Sequence, residues 1–236
     1  MILPSPSDLN PVSGIPLDFK DPKKSPSSDY APSSPVVSPP RYRGLRPAAP
    51  ITYTFTPLPS NSMLLAPPPK INDSQRPYHI SVSLNCFTPS SYITVIRKNS
   101  WDGELVGDFE MGAANARNPG TLCLRGNEYP ISDILESQFN VFRTTWLWKV
   151  KSFGPEKPMS LFWDDYQGGG VLSCYSSQDR NSANLLAKFT PRSHLRRQGQ
   201  PVEPPKLLVS PAGHDFFDDI LLSALVIERT RTAPSS

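Results

Sequence analysis

The stretch HDFFDDILLSALVIER, His214 to Arg229, is apolar on every side: between Ile220 and Ile227 only Ser223 is polar. Gly213 and Asp215 supply a helix start signal, and Asp218 and Asp219 suit the positive end of the helix dipole. Arg229 and Arg231 suit its negative end. A helix that is apolar all round is either buried in protein or sits in a membrane. Crossing a bilayer takes about twenty apolar residues, and this run is too short. A helix over about residues 214–230 is therefore expected at the centre of a fold. Phe217, Ile220, Leu221, Leu222, Leu225 and Val226 are its expected core side chains.

What surrounds it reads as β-strand. Tyr53 and Phe55 alternate with Thr52, Thr54 and Thr56, and Ile80, Val82, Leu84 and Cys86 share one face of the next alternating run. Ser91–Lys98 is β-branched and reads as its hairpin partner across Pro89 and Ser90. Gly103–Gly112 is another strand, in which Gly107 marks a bulge or a close backbone approach. Asn140–Ser152 has the longest alternation, with Phe142, Trp146, Trp148 and Val150 on one side and Arg143, Leu147, Lys149 and Lys151 on the other. Short strands follow at Thr121–Leu124, Met159–Trp163, Val171–Tyr175, Asn184–Phe189 and Lys206–Val209, while Pro130–Ser137 mixes helical spacing with short length. Short connections favour antiparallel pairing. A two-sheet sandwich has a core only about 10 Å thick, whereas a helix with its side chains is about 10–12 Å wide. The expected fold is mainly β: a closed antiparallel barrel of about ten to twelve strands enclosing the C-terminal helix.

Proline is unevenly spread. Of 29 prolines, 12 fall in residues 1–50, together with nine serines and few apolar residues. Such a segment buries too little surface to offset its ordering entropy, so residues 1–50 read as a disordered Pro/Ser-rich tail ahead of a domain over 51–232. Ser5, Ser25, Ser34 and Ser38 each precede a proline and could accept phosphate, or simply reflect the composition. The start of the chain lacks the basic and apolar regions of a signal peptide. Three cysteines, Cys86, Cys123 and Cys174, are odd in number and widely spaced, which fits a reducing, cytoplasmic setting. A net charge of +3, spread over both parts of the chain, lacks the basic excess of a duplex-binding domain, so nucleic acid is not an expected partner.

The order Trp101-Asp102-Gly103-Glu104-Leu105-Val106-Gly107, Trp146-Leu147-Trp148-Lys149, Ala187-Lys188-Phe189, and Asp218-Asp219-Ile220 through Val226-Ile227-Glu228-Arg229 resembles a fungal family of uncharacterised proteins, domain of unknown function 6593. The likeness covers roughly Thr52–Thr232. The layout is also similar to the tubby C-terminal, LURP-one-related and phospholipid scramblase group. That resemblance implies a barrel around a hydrophobic C-terminal helix and, as in some tubby-like proteins, phosphoinositide binding by surface Lys and Arg.

Enzyme signatures are absent: there is no GxSxG, HExxH, GxxxxGK[ST] or GxGxxG. His79, His194 and His214 are scattered, and no Cys/His pair has metal-ligand spacing, so neither a cofactor nor a metal is expected. Asp102, Glu104, Asp108 and Glu110, the turn pair Asp164 and Asp165, and the helix-start pair Asp218 and Asp219 are the carboxylates from which a glycosidase-like pair would have to come. Acids on outer strand faces and at a helix N-terminus are the stronger explanation of them. Gly168–Gly170 joins two strands and reads as a hairpin turn. Two basic groups remain, Arg143, Lys149 and Lys151 on the long strand and Arg192, Arg196 and Arg197 in a loop. They suit anionic lipid headgroups, at about 1 kcal/mol each near an acidic membrane, or an ordinary solvated edge. The expected function is a non-catalytic cytoplasmic binding module, peripheral to a membrane when it meets anionic phospholipids. The alternatives are a protein-interaction scaffold with an unidentified protein partner and a carboxylate-dependent hydrolase.

Overall fold

The computed structural model describes residues 46–69, 76–88, 90–112, 120–124, 126–140, 143–150, 159–166, 170–192 and 203–232, all within the compact unit Tyr42–Ser236. The Ser-Pro pairs of the tail lie outside the described residues. Thirteen strands form one antiparallel sheet: β1 (Ile51–Leu58), β2 (Ser62–Ala66), β3 (Tyr78–Leu84), β4 (Tyr92–Lys98), β5 (Leu105–Met111), β6 (Thr121–Leu124), β7 (Asn127–Pro130), β8 (Leu135–Asn140), β9 (Arg143–Val150), β10 (Met159–Tyr166), β11 (Leu172–Tyr175), β12 (Leu185–Thr190) and β13 (Lys206–Val209). A single helical turn, α1 (Ile131–Ile134), links β7 to β8, and a 3-10 turn over Gly213–Phe216 leads into α2 (Phe217–Thr232).

The sheet order is β7-β6-β5-β4-β3-β2-β1-β13-β12-β11-β10-β9-β8. Its two edges are thus consecutive in the chain. Laid flat, thirteen strands would separate those edges by about 60 Å, yet four residues bridge them, and four residues reach about 14 Å at most. The sheet must curl. It curls around α2: Tyr53 on β1, Tyr78 on β3, Gly107 on β5, Trp148 on β9 and Trp163 on β10 all touch the helix or its leading turn.

The expected closed barrel needs correction. Among the described residues no ladder joins β7 to β8, so hydrogen bonds do not close the curl, and the strand number exceeds the ten to twelve expected. β7 is short and ends at Pro130, which has no N–H, and α1 buries Ile131 and Ile134 where a β7–β8 ladder would begin. The expected single strand Asn140–Ser152 is two elements: β8 ends at Asn140 and β9 starts at Arg143. Asp164 and Asp165, expected in a turn, lie within β10. Leu84 and Cys86 share the inward side of their run but are exposed, because the run outlasts the core.

Helix α2 is buried along most of its length, with Asp219 and Ser223 buried beside the apolar side chains. Phe217, Ile220, Leu221, Leu222 and Val226 are buried, while Leu225 is half-buried against the core. The register of β9 puts Trp146, Trp148 and Val150 inward. At Gly107 an added Cβ would come within 2.8 Å of the Cys123 carbonyl and 3.4 Å of a Leu222 methyl, so this glycine is a close-approach position beside a bulge in the β4–β5 ladder. No helix among the described residues is long and apolar enough to cross a membrane.

Candidate anion-binding cleft

On the outer face of the sheet, β8, β9 and β10 lie side by side, with Gln138 opposite Thr145 and Thr145 opposite Asp164. The loop between β11 and β12 folds over this face. It carries Gln178 and Arg180, and Arg180 is held at φ 50°, in the left-handed region. That backbone costs a residue with a side chain about 1–2 kcal/mol. Beneath it Asp164 is only 4% exposed. Arg143 grips Asp164 with two hydrogen bonds, from Nε and Nη2. Arg180 Nε stands 3.8 Å from Asp164 Oδ2, an ion pair without a hydrogen bond. Two guanidiniums against one carboxylate leave one positive charge.

Arg143 and Arg180, with Gln138, Phe139 and Thr145, line a hollow of about 300 Å³. A neighbouring hollow of about 240 Å³ shares Gln138, Thr145 and Arg180 and runs on over Leu147 and Phe162. The cleft thus has a cationic end, amide and hydroxyl groups along it, and an apolar floor. Among the described residues the Arg180 guanidinium donates no hydrogen bond, and its side chain is 33% exposed. Such a group can take the planar, two-point hydrogen bonding of a carboxylate or phosphate.

The structure sorts the six basic residues picked out from the sequence. Arg143 and Lys149 are on the outer face of β9, as the alternation required, but each has a carboxylate partner, Asp164 and Glu136 respectively. Arg192 is exposed after β12 and does not line the cleft. Lys151, Arg196 and Arg197 lie outside the described residues. Of the three described, Arg143, Lys149 and Arg192, only Arg143 lines the cleft. Arg180 was not legible as its partner: it sits in a polar turn, and nothing in its neighbours' spacing signals that the loop folds back over β9 and β10.

The carboxylates have other occupations. Asp165 points to the opposite face from Asp164, where Oδ2 is 3.1 Å from Arg231 Nη2 and the buried Oδ1 has no hydrogen-bond partner among the described residues. Asp218 accepts from the Tyr78 hydroxyl at 3.0 Å and pairs with Lys98 at 3.2 Å. Asp219, 1% exposed, accepts from Trp148 Nε1 at 3.0 Å. Glu110 accepts from Ser91 and Asn85, which holds its carboxyl below the usual range. Burial pushes the Asp108 carboxyl up, and the Glu128 charge across β6 adds to this. Among the described residues no group of three or more His, Cys, Asp or Glu side chains is placed to hold a metal ion.

The chain matches the model of a family of unknown function (DUF6593) over residues 67–233. No curated protein and no solved structure matches.

Proposed function

We propose, from the premise that the chain belongs to the family of unknown function DUF6593, that its domain is a non-catalytic binding module whose cleft at Arg143 and Arg180 receives an anionic lipid headgroup. One observation carries this reading: the Arg180 guanidinium, with no hydrogen bond of its own among the described residues, stands at the mouth of a cleft of about 300 Å³ in a strained backbone conformation. Strain kept at one charged residue points to a function for it. The volume is at the lower end for small-molecule sites and suits a headgroup rather than a folded partner. The resemblance to the tubby group adds the precedent of headgroups bound by surface Lys and Arg. The surface charge is modest, so attachment is weak, salt-sensitive and peripheral, from the cytoplasmic side.

Vesicle flotation tests this. Wild-type protein is expected to float with phosphoinositide-containing vesicles at low salt and to stay behind with phosphatidylcholine alone. Arg180→Glu is expected to lose flotation while the fold persists, with a small drop in melting because the new carboxylate faces Asp164, which Arg143 still pairs. Soluble inositol phosphate that competes would place recognition in the headgroup. Failure of the wild type to float at low salt, or full flotation of Arg180→Glu, would sink the reading.

A further inference from the structure

The two edges of the sheet are not equally protected. The Ile131 N–H donates to the Gly120 carbonyl at 3.0 Å. By alternation Tyr129 and Asn127 also bond towards β6, and Glu128 and Pro130 turn their backbone outward. Pro130 has no N–H to offer, so this edge is blunted. On β8 the Leu135 N–H goes to the Ile131 carbonyl rather than to β9. By the same alternation the N–H and C=O groups of Ser137 and Phe139 point away from β9, and no ladder among the described residues meets them. Glu136, Ser137, Gln138 and Phe139 are all exposed, so neither face of this strand is covered, and Phe139 is 84% exposed. β8 carries neither of the usual edge guards, proline or lysine.

The charges along this edge are polar in the direction of the strand. Glu136 is balanced by Lys149, and Arg143 by Asp164. Among the described residues what remains is Asp133, exposed in α1 just ahead of β8, and, at the strand's far end, Arg180 in the cleft, with exposed Asp179 before it in the loop but outside the cleft lining. An identical strand running the opposite way brings Asp133 of one copy towards the cleft end, and Arg180, of the other.

We infer that the free edge of β8 pairs antiparallel with β8 of a second copy of this chain, about a two-fold axis at Gln138. Ser137 of each copy then exchanges both backbone hydrogen bonds with Phe139 of the other, and the exposed Phe139 ring is covered. The contact is self-complementary, as a two-fold interface must be. It is an edge-to-edge strand addition, in which main-chain bonds supply affinity and alternate side chains supply register.

Light scattering over a concentration series tests this. The wild-type mass is expected to rise towards two copies with concentration and return to one on dilution. Ser137→Pro removes the N–H that faces away from β9 and leaves the β8–β9 ladder whole, so it is expected to hold the mass at one copy with unchanged melting. Phe139→Asp, at an exposed position, is expected to do the same and serves should the proline disturb folding. Hydrogen exchange at Ser137 and Phe139 is expected to slow only where the mass has doubled. A single-copy mass at every concentration overturns the proposal. So does a dimer that survives both variants, or exchange at these amides that slows only when an unrelated extended peptide is added. Ser137→Pro leaves both arginines of the cleft in place, so this inference and the headgroup reading fail separately.

Discussion

Trp148, Trp163 and Tyr78 each bury a polar tip, and α2 supplies all three acceptors: Asp219 at 3.0 Å, the Ser223 hydroxyl at 2.9 Å and Asp218 at 3.0 Å. The Ser223 hydroxyl in turn donates a hydrogen bond to the Asp219 backbone carbonyl at 2.6 Å. Removing one donor leaves a buried acceptor short, which costs about 1–3 kcal/mol and more beside a charge. Trp148→Phe, which keeps an aromatic ring but loses the pyrrole half of the indole with its Nε1 proton opposite buried Asp219, combines a cavity with a lost hydrogen bond and is expected to lower stability by about 3 kcal/mol or more, read as a shifted urea midpoint at unchanged slope. His214 contributes in a pH-dependent way. Ser210 O can only accept, so Nδ1 at 2.8 Å carries the proton and Nε2, 3.1 Å from the Tyr53 hydroxyl, is the acceptor. Burial depresses the pKa below its ordinary 6.5, against the opposing pull of the Ser210 hydrogen bond and Asp215. The unfolded chain then takes up this proton first as pH falls. The contribution of His214 is whole above about pH 6.5 and is lost as pH drops through the depressed folded value. Melting temperature is expected to fall below about pH 6.5 in the wild type and to fall less in His214→Gln; parallel curves for the two proteins would refute this.

At the level of elements, strands were legible where apolar side chains alternate and each face meets one environment. Trp146, Trp148 and Val150 on β9 and Tyr53 and Phe55 on β1 are buried at every second residue. The same rule failed at the sheet ends. β7 is four residues with two exposed polar side chains and a proline, and β8 is exposed on both faces, so neither carries an alternating signal. The i, i+3 spacing of Ile131 and Ile134 was a true helical signal, but it lasts one turn. The cleft was still less legible: its arginines come from β9 and from a loop, brought together by strand pairing over long sequence separation. Helix α2 reads clearly because its all-round apolarity has one physical solution, and the buried positions tell its faces apart. Leu222→Asp sets an unpaired charge where exposure is 0% and is expected to cost more than about 4–5 kcal/mol. The same change at half-buried Leu225 is expected to cost less, since its charge can reach water. Across the interface, Gly107→Val is expected to destabilise by overpacking, about 1–3 kcal/mol or more, because its side chain would press on the Cys123 carbonyl and Leu222. Circular dichroism melts of the three variants rank these outcomes; equal melting for Leu222→Asp and wild type would deny that the helix is enclosed.

In the whole molecule, the helix does what a closing ladder does in a complete barrel. The sheet runs out at β7 and β8 with no ladder between them among the described residues, so its curl is not held by its own edges at that seam. Contacts to α2 come from β1, β3 and β5 in one half and from β9 and β10 in the other. At its C-terminal end Arg231 ties Asp165 and the Gly170 carbonyl, each at 3.1 Å, to the last turn. The two halves of the sheet share this one apolar centre, so neither half has a core without it. Two consequences follow for unfolding. First, the domain should lose its structure in one step: the near-ultraviolet signal of Trp148 and Trp163, which report the sheet, and the far-ultraviolet signal, which reports the backbone, should coincide along a urea titration. Second, a chain ending at Ala212 should not keep a loosened native sheet. It loses Phe217, Ile220, Leu221, Leu222 and Val226 from the centre, and exposes the inward faces of β1, β3, β9 and β10. Each of those side chains contributes about 1.5–3 kcal/mol by burial, a sum comparable with the whole stability of an ordinary domain. The truncated chain is therefore expected to be aggregated or to bind hydrophobic dyes, with collapsed near-ultraviolet dichroism. A soluble truncated chain with the dichroism of the intact sheet would show that the strands hold their curl unaided, and the helix would then be a passenger rather than the core.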